Sequence, residues 1–226
     1  LNGILADDMG LGKTLQAITA ITQYKLDHPD ALSIIVCPTS LVHNWKEEFL
    51  KFNPKLKVLP VDGTPVQRKK LLTEVKNFDA VITSYSLLQK DIEIYKTFPF
   101  AYAILDEAQH IKNRGTRNAK SVKIIQAKHR LILTGTPIEN SIKDLLSILE
   151  FTNPGLLSYS PQKDIALDTQ SMLAKTLKPF MLRRTKEKVL TELPEKSEQV
   201  LFCEMSPTER KFYNAIRDKF RASLAE

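Results

Sequence analysis

The chain has 226 residues, 42% hydrophobic and 26% charged, with a net charge of +7 and two cysteines. This is globular composition with material for one large core, and the longest apolar stretches, Ile34–Cys37 and Ala101–Leu105, are far too short to cross a bilayer. Cys37 and Cys203 match no metal-ligand spacing, so a reducing compartment is expected, and the positive balance suits a nucleic-acid partner without requiring one.

In chain order, the first informative stretch is "ILADDMGLGKT", residues 4–14. It approaches the phosphate-binding pattern G-x-x-x-x-G-K-[ST], but Asp7 stands where that pattern requires glycine. Gly10, Gly12, Lys13 and Thr14 fit it, between a short apolar run and a helix-like pattern. Three of the seven glycines fall in the first twelve residues, which favours a backbone role there. A carboxylate beside phosphates is wrong on charge grounds, so the reading depends on the rest of the chain.

Ser33–Cys37 reads as a buried strand, and Leu41, Trp45, Phe49 and Phe52 mark one face of a helix, with Trp45 as core. Ala80–Thr83, Tyr102–Leu105 and Arg130–Leu133 read as further strands between helical or mixed stretches. This alternation predicts an α/β fold, a mostly parallel sheet with helices on both faces and its ligands beyond the carboxyl ends of the strands. From about Asn153 the character changes to a loop rich in proline and serine, then a basic stretch from Lys175 to Lys188. Gln199–Cys203 resembles one more strand. "SPTE" (206–209) has the pattern of a helix start, and Tyr213, Ile216, Phe220 and Leu224 continue one helical face. Both ends read as cut, so a fragment is expected.

A phosphate cradle needs an acidic partner for magnesium at a strand end. "AILDEAQH" (103–110) supplies it: Asp106 can orient the hydrated ion, and Glu107 can position or deprotonate the attacking water. "LILTGTP" (131–137) is another apolar strand ending in small and hydroxyl residues.

Together, "DDMGLGKT", "VCPTSLVHNW", "TSYSLL", "LDEAQHIKN", "LTGTPIEN" and "PFMLRRTKEKVLTELPEK" resemble the successive motifs of the Swi/Snf family of helicase-like ATPases, superfamily-two DNA translocases. The resemblance covers nearly the whole chain, in order. In that family the glycine of the strict pattern is commonly absent, so Asp7 is no objection; its carboxylate is expected to turn from the phosphates toward backbone amides. The resemblance implies a RecA-like P-loop lobe over 1–155 with a C-terminal mixed or helical extension, and over 156–226 an excursion and connection toward a second lobe. It also implies that the adenine-contacting segment and the second lobe's arginine finger lie outside this sequence, and that the fragment alone is inactive.

The implied substrate and ion are ATP and Mg²⁺. Lys13 would sit on the phosphates, with Asp8, Met9, Gly10, Leu11, Gly12 and Thr14 in the binding loop and Thr14 and Asp106 on the ion. Lys13, Asp106 and Glu107 carry the catalysis, and Gln109 of the DEAQ box resembles an inter-lobe sensor. The implied partners are double-stranded DNA, the second lobe of the same parent and a protein obstacle on the DNA, with no membrane. DNA phosphates would meet Pro38, Thr39 and Ser40 and the loop Thr83, Ser84 and Tyr85, with Lys112, Arg114 and Arg117 adding attraction. On base rates Arg183, Arg184, Lys186 and Lys188 form a solvated face; in the family they lie on the connection to the second lobe. The compartment is expected to be cytoplasmic in a bacterium or archaeon, or nuclear in a eukaryote. Two alternatives stand beside this one: an RNA helicase lobe, which "DEAQHIKN" and "LRRTK" oppose, and a non-catalytic nucleic-acid-binding module, which intact Lys13, Asp106 and Glu107 oppose.

Overall fold

A computed structural model describes residues 2–135, 142–156, 178–190, 192 and 199–223, except the side chains of 142–146 and 222. Residues 136–140 of the "LTGTPIEN" motif, most of the stretch between 155 and 177, and Leu224 lie outside the described residues. The chain divides into two compact units, Leu1–Thr191 and Glu192–Glu226.

In the first unit, seven strands form one sheet: β1 (Asn2–Leu5), β2 (Ser33–Cys37), β3 (Val58–Val61), β4 (Ala80–Ser84), β5 (Phe100–Asp106), β6 (Ala127–Leu133) and β7 (Met181–Leu182). The order is β3-β4-β2-β5-β6-β1-β7, and every pairing is parallel. The helices of this unit are α1 (Lys13–Asp27), α2 (Val42–Phe52), α3 (Pro65–Thr73), α4 (Tyr85–Lys90), α5 (Ile92–Tyr95), α6 (Arg117–Ile124), α7 (Ile142–Thr152) and α8 (Lys186–Val189). This is the parallel α/β sheet that the alternation predicts.

The strands are where continuous apolar runs put them, because a parallel sheet covered on both faces buries every side chain of its central strands. All five residues of β2 are buried. Ile35 and Cys37 join Trp45 and Phe49 of α2 and Ile18 and Ile21 of α1 in the core on one face. Ile34 and Val36 point the other way, into the core with Leu88, Val122 and Phe151. Each large side chain so buried contributes about 1.5–3 kcal/mol relative to exposure.

Parallel register then levels the strand ends. Cys37 pairs with Ser84, Asp106 with Leu133, and Leu133 with Leu5. The segments that follow, Ala6–Gly12, Pro38–Leu41, Tyr85 and Glu107, therefore all leave the same carboxyl edge. Polar residues fix the helix starts: Thr64 and Gln67 form a reciprocal cap with Pro65 at the first position of α3, Ser84 caps α4 and Thr116 caps α6.

Beyond residue 155, where the change in composition set the expected lobe boundary, Lys178–Leu190 returns to the sheet. Met181 and Leu182 pair with Ile4 and Leu5 as its last strand.

In the second unit, Ser206 and Glu209 cap helix α9 (Pro207–Ser223) through Glu209 N–H to Ser206 Oγ (3.3 Å) and Ser206 N–H to Glu209 Oε2 (2.9 Å). The strand expected at Gln199–Cys203 is not formed: Val200, Leu201 and Phe202 are exposed and no described backbone pairs with them. An apolar run becomes a strand only when a neighbour accepts its backbone hydrogen bonds, and this one has none among the described residues.

Candidate active site

The chain leaves β1 at Leu5 and turns through Gly10 (φ 86°) and Gly12 (φ 75°) into α1. Both glycines occupy the left-handed region that L side chains rarely adopt. Gly12 precedes the helix and has no side chain to cap it, so the first amides of α1 receive no side-chain cap. Lys13, the first helical residue, bends back and donates from Nζ to the carbonyls of Asp7 (2.7 Å) and Asp8 (3.1 Å). Gly135, just beyond β6, sits against this loop: a Cβ there would lie 3.0 Å from Met9 Cγ and 3.6 Å from Lys13 Nζ.

Asp7 is fully buried and faces Arg184. Its Oδ1 accepts from the Arg184 amide (2.9 Å) and Nε (3.1 Å), and Oδ2 accepts from Nε (3.1 Å) and Nη2 of the same guanidinium. Burial works to raise the Asp7 carboxyl, but these hydrogen bonds and the Arg184 charge outweigh it and hold the group below its ordinary value. The carboxylate thus turns to a backbone amide, as expected, and also to a guanidinium 177 positions away that the sequence reading had assigned to a solvated face. Gln16 links the same arginine to the loop, accepting from Arg184 Nη2 (2.8 Å) and donating to Leu11 O (3.2 Å).

The acidic pair sits at the end of β5. Asp106 is half-buried; its Oδ2 accepts from the indole N–H of Trp45 (2.9 Å) and its Oδ1 from the amide of Glu107 (3.0 Å), while Tyr85 OH donates to its carbonyl (2.8 Å). Burial pushes the Asp106 carboxyl up, the Trp45 bond opposes this, the Glu107 charge adds to it and the Lys13 charge opposes it; the net direction is upward. Trp45 is therefore core, as read, and also the residue that aims Asp106. Its one polar atom was the available signal, since a buried indole N–H needs an acceptor.

Glu107 has φ 53° and ψ 61°, the only non-glycine with positive φ among the described residues. Its Oε2 is buried without a hydrogen-bond partner among the described residues. Strained backbone and an unsatisfied buried acceptor are both costly, and such features concentrate where a site is built for a ligand. Gly10, Gly12, Lys13, Thr14, Asp106 and Glu107 line one cleft of about 470 Å³, with Trp45 in its wall.

The remaining residues singled out in the sequence fall around this cleft and beyond it. Asp8, Leu11 and Thr14 are half-buried and Met9 is exposed, all within the loop or the first turn of α1. Gln109 is exposed on the turn Ala108–Ile111. Pro38 is half-buried and Thr39 and Ser40 are exposed on the turn after β2, and Lys112 is exposed. Thr83, Ser84 and Tyr85 lie at the end of β4 and the start of α4. All three are buried, and their hydroxyls serve Val61 O, the α4 cap and Asp106 O respectively. Ser86 is exposed on that turn, its hydroxyl 3.2 Å from that of Ser84. Arg114 pairs with Glu150. Cys37 is buried, and its thiol is pushed up to about 12 by burial and the Asp106 charge, which makes it an inert core residue.

A family model described as SNF2-related domain matches residues 1–225. The chain is 38% identical over 246 residues to the chromatin-remodeling ATPase INO80 of Sclerotinia sclerotiorum, covering 97% of this chain and 14% of that protein. It is 40% identical over 256 residues to the TATA-binding protein-associated factor BTAF1 of Arabidopsis thaliana, covering 100% and 12%. The Sulfolobus solfataricus SWI2/SNF2 ATPase core solved in complex with dsDNA matches with 37% identity and a TM-score of 0.76 over 97% of this chain and 48% of that one. The same core domain solved separately gives 36%, 0.71, 97% and 47%. The chain thus spans less than a sixth of these curated relatives and about half of the solved core.

Proposed function

The chain belongs to the SNF2-related domain family, and from that membership we propose that it is the first, ATP-binding lobe of a two-lobed motor that moves on double-stranded DNA. The observation that carries this reading is the convergence of the Lys13 loop with Asp106 and a strained, unpartnered Glu107 on one cleft.

The residues fit a magnesium nucleotide. The uncapped start of α1 and the amides from Gly10 to Thr14 suit phosphate oxygens. Magnesium characteristically takes few protein ligands, and the Thr14 hydroxyl with the Asp106 carboxylate offers such a pair. When bound, the ion would neutralise charge on the β- and γ-phosphates. Lys13 exchanges its two carbonyl partners for phosphate oxygens, contributing a point charge. Asp106 is held in one rotamer by Trp45 and by the Glu107 amide, so its free lone pairs stay aimed at the cleft. The unpaired oxygen of Glu107 accepts a hydrogen bond, and then the proton, from the water that attacks the terminal phosphate. Asp8, Met9 and Leu11 shape the loop, and Gln109 faces outward where a second lobe would close.

The solved SWI2/SNF2 core with dsDNA supports DNA as the track. Exposed Thr39, Ser40 and Lys112, with Ser86 in place of the three buried residues, are the groups that would meet its phosphates, a contact blind to sequence. The test is steady-state ATPase of the two-lobed protein with and without duplex DNA. Glu107→Gln should retain nucleotide binding and lose roughly 10²–10⁴-fold in turnover, as for removal of a positioned base, and Lys13→Ala should lose binding. Near wild-type turnover in Glu107→Gln would remove Glu107 from the chemistry, and turnover indifferent to Lys13 would overturn the reading.

A further inference from the structure

The segment after β7 continues past the sheet and runs along the phosphate loop. Ala6 N–H donates to Leu182 O (2.8 Å), Asp8 N–H to Arg184 O (3.0 Å), and Lys186 N–H to Asp8 Oδ2 (3.0 Å). These bonds, with the Arg184–Asp7 pair, fix where the side chain of Lys186 starts. Its far end reaches Gly10: a Cβ built on that glycine would lie 3.7 Å from Lys186 Cε and 3.9 Å from Nζ. Lys13 Nζ lies under the same loop, on the carbonyls of Asp7 and Asp8.

We propose that Lys186 is a second phosphate-binding cation of the nucleotide cleft, presented over Gly10 by the Arg184–Asp7 clasp. This rests on the nucleotide reading above and extends it to a segment that no part of the phosphate-binding pattern includes. The nearby Asp8 carboxylate receives the Lys186 backbone amide. Among the described residues no carboxylate forms an ion pair with the Lys186 ammonium. A flexible ammonium beside a glycine whose loop offers its amides is suited to a polyphosphate, which needs point charges from more than one side. Arg184 is a positioning residue here: it acts through Asp7 and not on the ligand.

The test is fluorescence titration of the chain with N-methylanthraniloyl ADP and ATP in Mg²⁺ buffer at low and high salt, alongside thermal melts. Lys186→Ala should weaken both nucleotides by about 5- to 30-fold, as for loss of an exposed charge-assisted contact. The melting temperature should not change, because the residue's fixed bond is made by its backbone. Lys186→Arg, which keeps the charge, should recover most of the affinity, and the salt dependence of binding should be shallower in Lys186→Ala than in wild type. Arg184→Ala should lose affinity and melt earlier. If Lys13→Ala abolishes binding while Lys186→Ala stays within twofold of wild type, this proposal is wrong and the nucleotide reading stands. If Lys13→Ala also binds as wild type does, both are wrong.

Discussion

Replacing Glu107 with glycine should make the chain more stable while removing its proposed base. Glu107 holds φ 53°, ψ 61°, a region that costs a non-glycine residue about 1–2 kcal/mol. Glycine adopts it without that strain, but it also frees the unfolded chain, which offsets about 0.4–1 kcal/mol. Glu107→Ala is the reference, because it removes the same carboxylate and keeps the strained backbone. Glu107→Gly should therefore exceed Glu107→Ala by about 0.5–1 kcal/mol, or roughly 1–4 °C in melting temperature for a chain of this size. Relative to wild type both variants also lose the buried, unpartnered Oε2, a further gain. Thermal and urea melts of the three proteins measure the differences, and ATPase of the two-lobed protein should fall to the same floor in both variants. A Glu107→Gly variant no more stable than Glu107→Ala would show that the left-handed backbone is not strained, and the case for a site built around Glu107 would lose half its support.

Trp45→Phe keeps the ring in the core and deletes the N–H that aims Asp106; the Mg²⁺ concentration needed for half-maximal nucleotide binding should rise about 3- to 10-fold, as for one lost hydrogen bond to a charged group, and an unchanged Mg²⁺ requirement would refute the positioning role. Arg184→Met should destabilise the chain in a pH-dependent way. In the wild type the Asp7 carboxyl is held low, so its contribution is present above the unfolded value near pH 4 and is lost as pH falls through the folded value. In the variant the guanidinium bonds and charge are gone while the backbone amide of residue 184 and Gln16 still oppose burial, so the carboxyl sits higher than in the wild type and contributes less. The gap between the two melting temperatures should be widest near neutral pH and close only below about pH 4, as the wild-type carboxyl protonates; a gap independent of pH would remove Asp7 from the effect.

The central sheet was legible because β2, β4, β5 and β6 are apolar runs long enough to read without a partner. β3 was not, since Pro60 interrupts "VLPV"; it lies on the sheet edge, where a missing N–H is tolerated. β7 is two residues long, and only its register with Ile4 and Leu5 makes it a strand. Gln199–Cys203 failed in the opposite sense, with an apolar pattern and no neighbour. At the site, the residues of the phosphate loop and the acidic pair could be picked out because glycine, lysine and adjacent carboxylates carry their chemistry in their identity. Arg184 could not: nothing local separates a guanidinium that seals a buried carboxylate from one that faces water. Thr83, Ser84 and Tyr85 look alike in sequence to Thr39 and Ser40, and which hydroxyls turn inward depends on Val61 and Asp106, both contributed by other strands.

The clasp between Asp7 and Arg184 also sets an order in time. The loop leaves the ribosome well before the arginine that secures it, which is 177 residues behind. At ordinary synthesis rates of about 5–20 residues per second, that is roughly 10–35 s. Through that interval β1 has no outer neighbour and Asp7 no guanidinium, so the nascent loop lacks the contacts that fix its shape. The last contact that fixes this loop therefore forms only after the chain through Arg184 has been made.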